Sequence, residues 1–162
     1  MTTDYPMATT PLGRQAETLY EQGYEAYLQR QFGDARTLVE RSLTFFREAQ
    51  HPPGILRALH ILGSIACEEG QYATARTHHE EVLAACRAMN VQEGIASSLN
   101  NLGLVAGKEG RFSEGRALLE ESLQIYHALG QTTEAMAVQA NLESLGQQQG
   151  AASHEWSTAN DV

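Results

Sequence analysis

Few groupings in this 162-residue chain combine residue types that could do covalent chemistry. The densest is His78-His79-Glu80-Glu81, two imidazoles and two carboxylates of the kind that bind zinc. A helix turns about 100° per residue, so neighbours in such a run point apart, and the run is not the HExxH pattern that brings two histidines to one face. The histidines read as surface or partly buried side chains, with a metal-dependent enzyme around them as a remote alternative. Gly103 to Lys108, GLVAGK, is one residue short of a phosphate loop and lacks the Ser or Thr that follows the lysine. It also lies within a helical pattern with no strand before it. The carboxylate pairs Glu68-Glu69, Glu80-Glu81 and Glu120-Glu121 diverge for the same angular reason and read as solvated faces. There is no GxSxG nucleophile motif. No catalytic residue, metal site or cofactor is therefore expected, and the chain is read as not an enzyme.

Charge and composition narrow the remaining classes. A net charge of −9 with scattered Lys and Arg argues against nucleic acid, which needs a basic stripe to displace counterions from phosphates. No apolar run approaches the ~20 residues of a membrane span, so no membrane partner is expected. MTTDYPMATTPLG at the amino terminus lacks a basic region followed by an apolar one and does not read as a secretory signal. Cys67 and Cys86 are too few and too far apart for a disulfide framework, which fits buried thiols in a reducing compartment. The expected location is cytoplasmic, and the expected state a monomer or weak homodimer.

What remains is a repeat. ILRALHILGSIACEEGQYATARTHHEEVL, beginning at Ile55, returns forty residues later as IASSLNNLGLVAGKEGRFSEGRALLEESL, and a weaker copy surrounds Gly23, Ala35 and Leu43. A period of this size marks stacked supersecondary units. Apolar residues recur at helical spacing in each half of a unit, and Gly70 and Gly110 supply the left-handed residue that ends a helix cheaply. Thr10-Pro11 suits a helix start, while Pro52-Pro53 bars continuation of the helix before it. The spacing predicts an all-α solenoid of about seven helices in antiparallel pairs. Its parts are a flexible leader at 1–13, one array at 14–150 and a disordered tail at 151–162. Within the array the repeats fall at 14–53, 54–93 and 94–133, with a capping helix at 134–149.

Glycine in a helix interior costs about 1 kcal/mol relative to alanine. Gly23, Gly63 and Gly103 therefore need a packing benefit, and Ala35, Ala75 and Gly115 supply small partners on the second helix of each unit. Phe32, Tyr72 and Phe112 are placed to wedge at the turn. Arg36, Arg76 and Arg116 each stand four residues before a glutamate, a spacing for exposed ion pairs of about 0.3 kcal/mol each. Replacing Leu102 by Asp would force a charge into the packed interface and unfold the array.

The run Leu62-Gly63, Gly70, Tyr72, Ala75, Leu83 and its copy Leu102-Gly103, Gly110, Phe112, Gly115, Leu123 resemble the tetratricopeptide repeat in its long, forty-residue form. Similar arrays stand behind the ATPase modules of bacterial signal-transduction regulators and in kinesin light chain. The sequence departs from the pattern with Gln22 for Leu, Arg30 for Gly and Gly115 for Ala. The resemblance implies a right-handed superhelix whose first helices line a concave groove, with a protein or peptide partner held there. The implied groove positions are Tyr20, Tyr24, Tyr27, Arg57, His60, Ser64, Asn100, Asn101, Leu104, Lys108 and Asn141. Packing positions repeat from unit to unit and these vary, as a recognition surface or an unconstrained solvent face does, and the binding habit of repeat proteins favours recognition. Asn101 and Asn141 occupy equivalent places, and carboxamides that both donate and accept suit the backbone of an extended peptide. The Lys, Asn and Arg of a chaperone-type carboxylate clamp are replaced by Tyr20, Tyr24, Ile61, Ser97 and Asn101. The expected function is an interaction scaffold, with a regulatory sensor for a small effector or signal peptide as the alternative.

Overall fold

The computed structural model describes the backbone of residues 10–159 and the side chains of residues 10–152. Most of the leader and the last residues of the tail thus lie outside the described residues. Seven helices and no strand occur among those described: α1 (Pro11–Leu28), α2 (Phe32–Glu48), α3 (Pro52–Glu68), α4 (Tyr72–Ala88), α5 (Gln92–Lys108), α6 (Phe112–Leu129) and α7 (Thr132–Ala159). The chain divides into two compact units, one ending at His78 and the other beginning at His79, so that α4 runs through the boundary. The fold class is an all-α solenoid of helix pairs.

Helix ends follow a period of half a repeat. Residues at 30, 50, 70, 90, 110 and 130 all have positive φ, between 50° and 75°. After each, an N–H closes onto a carbonyl five residues back, as when Gln31 donates to Ala26 and Arg111 to Ala106, both at 2.9 Å. These are Schellman closures, which satisfy carbonyls left orphaned at a helix end. Glycine occupies three of the six positions, while Arg30, Gln50 and Asn90 hold a conformation that side chains disfavour. Helix starts are fixed by side chains too. Thr10 Oγ1 accepts from the Gly13 N–H at 3.0 Å ahead of Pro11, and His51 Nδ1 accepts from the Gly54 N–H at 3.1 Å ahead of Pro52.

In the first unit α1 and α2 run antiparallel, since Ala16 meets Ser42 near one end and Gly23 meets Val39 towards the other. The Ser42 hydroxyl donates to the Ala16 carbonyl at 2.8 Å, and a Cβ on Gly23 would lie 2.6 Å from Val39 Cγ2. The second unit reproduces both contacts. Ser122 donates to the Ala96 carbonyl at 2.8 Å, and a Cβ on Gly103 would lie 3.0 Å from the Gly115 carbonyl oxygen. The benefit that offsets each interior glycine is close approach of helix axes, as the sequence requires. Leu119, Tyr126, Ala135, Val138 and Leu145 form the core of this unit, with Phe112 packed against it at the turn.

Several expectations are corrected. α1 begins at Pro11, inside the stretch read as leader, because Thr10 caps it. α7 does not stop at 149 but continues to Ala159, because Gly146 and Gly150 stay helical and no proline interrupts. Residues 151–159 are thus helical where disorder is expected. His79 is 1% exposed, not a surface or partly buried residue. It occupies the position that Val39 and Leu119 fill forty residues to either side, both fully buried. Arg36 pairs with Glu69 at the end of α3 and not with Glu40, and Arg116 reaches Gln149 at 3.4 Å. Both arginines reach a group outside their own helix.

Candidate functional site

α1 and α3 pack within the first unit, and their shared face carries the aromatic residues. Tyr20, Tyr24 and Tyr27 fall at spacings of four and three on α1, which places them in one row. Their rings form a ladder, with centroids 6.3 Å apart and planes 4° off parallel for Tyr20 and Tyr24, and 6.4 Å and 26° for Tyr24 and Tyr27. Phe32 continues it from the turn at 6.1 Å, and Phe46 meets Tyr20 edge-on at 6.5 Å. Tyr24 is the most open rung, 42% exposed.

Arg57 on α3 locks the far end. Its guanidinium carbon sits 4.7 Å from the Tyr20 ring centre and 5.8 Å from that of Phe46, and its Nη2 donates to both Glu17 oxygens at 2.6 and 2.8 Å. Glu17 and Arg57 occupy equivalent places one repeat apart, so this pair ties successive first helices together. Burial pushes the Tyr20 hydroxyl above its usual range, although the Arg57 charge pulls it back. Burial likewise raises Tyr27, with Glu68 adding to the shift and a hydrogen bond to Ser64 opposing it. Ser64 also donates to the His60 carbonyl at 3.1 Å. His60 is held below the usual imidazole range by burial and is neutral near pH 7.

The second unit carries carboxamides on the corresponding face of α5 and α7. Asn141 Nδ2 donates to Asn100 Oδ1 at 2.9 Å, and Asn100 Nδ2 approaches Asn101 Oδ1 at 3.4 Å. These bonds make a chain in which Asn100 is the central member. Asn101 and Leu104 are half-buried and Lys108 is exposed on the same helix. Ser97, one turn before Asn101, bonds to Tyr126 of α6 and supports the start of α5, while burial raises the Tyr126 hydroxyl.

The site residues thus form two sets, Tyr20, Tyr24, Tyr27, Arg57, His60 and Ser64 in the first unit and Asn100, Asn101, Leu104, Lys108 and Asn141 in the second. Phe46 was not anticipated as part of the first set. Its only signal in sequence is that Gly54 follows eight residues later, where a Cβ would lie 2.3 Å from the Phe46 ring. Among the described residues no cluster of three or more His, Cys, Asp or Glu is placed to hold a metal ion, and no helix is long and apolar enough to cross a membrane.

Comparison with known proteins agrees with this architecture. RapI in its apo form superposes with a TM-score of 0.78 at 19% identity over 85% of this chain and 50% of that one. The chain therefore spans about half of RapI's length. The C-terminal TPR-containing domain of a Plasmodium falciparum FK506-binding protein superposes with a TM-score of 0.61 at 15% identity, covering 89% of this chain and 97% of that one. At these identities the likeness is one of fold. No curated protein matches the chain in sequence. The model of the tetratricopeptide repeat family matches residues 54–128, and over this stretch the chain is similar to that family.

Proposed function

We propose that the chain is an adaptor that holds a peptide or helix of a partner protein against the first helices of its repeats. The observation that carries this reading is the contrast between repeated and varied positions on those helices. Gly23 and Gly103 recur because the partner helix needs them, while the neighbouring face changes from stacked tyrosines to linked carboxamides. A scaffold needing only a solvated face gains little from either arrangement. Stacked rings supply rigid contact area at small conformational cost. A carboxamide already oriented by a neighbour retains donors and acceptors for a peptide backbone. A cytoplasmic, signal-transducing setting fits the reading and is part of the proposal.

Peptides selected from a random display library on the immobilised chain test it. Their affinity should fall roughly tenfold or more, a loss of at least about 1.4 kcal/mol, in Asn100→Ala/Asn141→Ala or in Tyr24→Ala. Helicity should be retained in each variant. Undiminished affinity in both would refute the proposal.

A further inference from the structure

A second surface lies outside the tyrosine face, on the outer side of α1 and α2. It is a cavity of about 640 Å³ with Ala26 and Leu38 among its lining and Glu21, Glu25 and Asp34 beside them. No lysine or arginine lines it. Its meaning comes from the same positions in later repeats. The residue at 25 becomes Ile65, Val105 and Leu145, which are 1%, 0% and 4% exposed. Within the second unit the use of that position is visible. Leu145 of α7 inserts into the preceding helix pair, so closely that a Cβ on Gly107 would lie 2.5 Å from its Cδ1, and one on Gly115 3.3 Å from its Cδ2. The residue at 21 becomes Ile61, 5% exposed, and then the half-buried carboxamides Asn101 and Asn141. The aliphatic residue at 145 thus docks α7 onto the helix pair before it, and where 65, 105 and 145 are aliphatic and buried the first repeat carries the exposed carboxylate Glu25, with Glu21 exposed one turn earlier.

Such replacement at a polar end needs only solubility. Here the carboxylates instead surround a concave surface with apolar content. Unbalanced negative charge around apolar lining favours an occupant that brings positive charge and aliphatic stems together, as lysine and arginine side chains do. We propose that this outer groove of α1 and α2 docks a basic, lysine- or arginine-bearing segment of a partner protein. It is distinct from the tyrosine and carboxamide faces, and neither proposal depends on the other.

The test is fluorescence anisotropy with a short labelled peptide of alternating lysine and alanine. The chain should bind it, and Glu21→Gln/Glu25→Gln/Asp34→Asn should weaken binding roughly tenfold. Glu80→Gln/Glu120→Gln/Glu134→Gln, which removes as much charge elsewhere, should leave it within about twofold, as should Tyr24→Ala. Equal weakening by the two triple variants would overturn the proposal, showing attraction by overall negative charge, and so would absence of binding. Should the first variant lose its helical melting transition, amide shift mapping on the unaltered chain decides instead. Peptide-induced shifts confined to α1 and α2 support the groove, and shifts spread over other helices refute it.

Discussion

The two units solve the same packing problem with different tolerances. In the first, Gly23 faces Val39 and Leu38, and the nearest backbone atom of the other helix, the Val39 nitrogen, would lie 3.2 Å from an added Cβ. In the second, Gly103 and Gly115 face each other, with an added Cβ on either meeting the other's carbonyl oxygen at 3.0 or 2.9 Å. Backbone cannot yield as a side chain does, so the second unit holds its helices at a contact with no slack. Their outward faces differ correspondingly. The first presents large rings braced by Arg57, and the second presents small polar groups near its tightest helix contact. The carboxamides bond across from α7 to α5, while the tyrosines stack along one helix.

The comparison breaks most sharply at the glycines. Gly103→Val should cost several kcal/mol, and even Gly103→Ala about 1–3 kcal/mol, through overpacking against Leu119 and the Gly115 backbone. Gly23→Ala should cost less, near the bottom of that range, because its closest backbone contact, at 3.2 Å, is looser than the 3.0 Å of Gly103. Urea denaturation of the two alanine variants measures the difference, and equal losses would mean that the units are equally tight.

A smaller effect should not distinguish the units. Ser42→Ala and Ser122→Ala each remove one buried hydroxyl bond of the same length, so each should cost about 1 kcal/mol in thermal or chemical melts. Unequal costs would locate a difference in the small-residue seam itself. At the turns, Arg30→Gly or Gln50→Gly should stabilise the first unit by up to about 1 kcal/mol, since each relieves a side chain held at positive φ. Asn90→Gly should gain less, because asparagine tolerates that conformation better. Differential scanning calorimetry resolves the order.

The smallest effect concerns pH and involves His60 of the first unit. His60 is buried and its folded-state affinity for a proton is lowered, so the unfolded chain binds that proton first on acidification. Its contribution to stability is fully present above the unfolded value near 6.5 and is lost as pH falls below it towards the depressed folded value. His60→Gln should flatten stability against pH in that window. An unchanged slope would place the acid sensitivity elsewhere.

Much of this was legible in the residues because packing repeats. Gly70 and Gly110 mark turns, Gly23 and Gly103 mark helix contacts, and the forty-residue shift aligns them. What the alignment misleads about is contact between repeats. It matches Asn101 with Asn141, yet Asn141 bonds to Asn100, one residue off that register. Glu17 and Arg57, matched in the same way, do meet, since long side chains absorb such an offset. His79 misled for another reason: the run His78-His79-Glu80-Glu81 is polar in composition, yet position 79 belongs to the buried stripe of Val39 and Leu119. Arg36 was assigned a partner by spacing on its own helix, a rule for isolated helices that yields once another helix pair lies within reach.

The account rests on the tyrosine face of α1 and α3 in the first unit and the carboxamide face of α5 and α7 in the second being the faces that meet a partner. Amide-resolved spectra of the labelled chain, titrated with a library-selected peptide, test this most directly. The account predicts shifts in the side-chain amides of Asn100, Asn101 and Asn141 or in the backbone of α1 around Tyr20, Tyr24 and Tyr27. Shifts confined to α2, α4 and α6, with those residues unmoved, would contradict it.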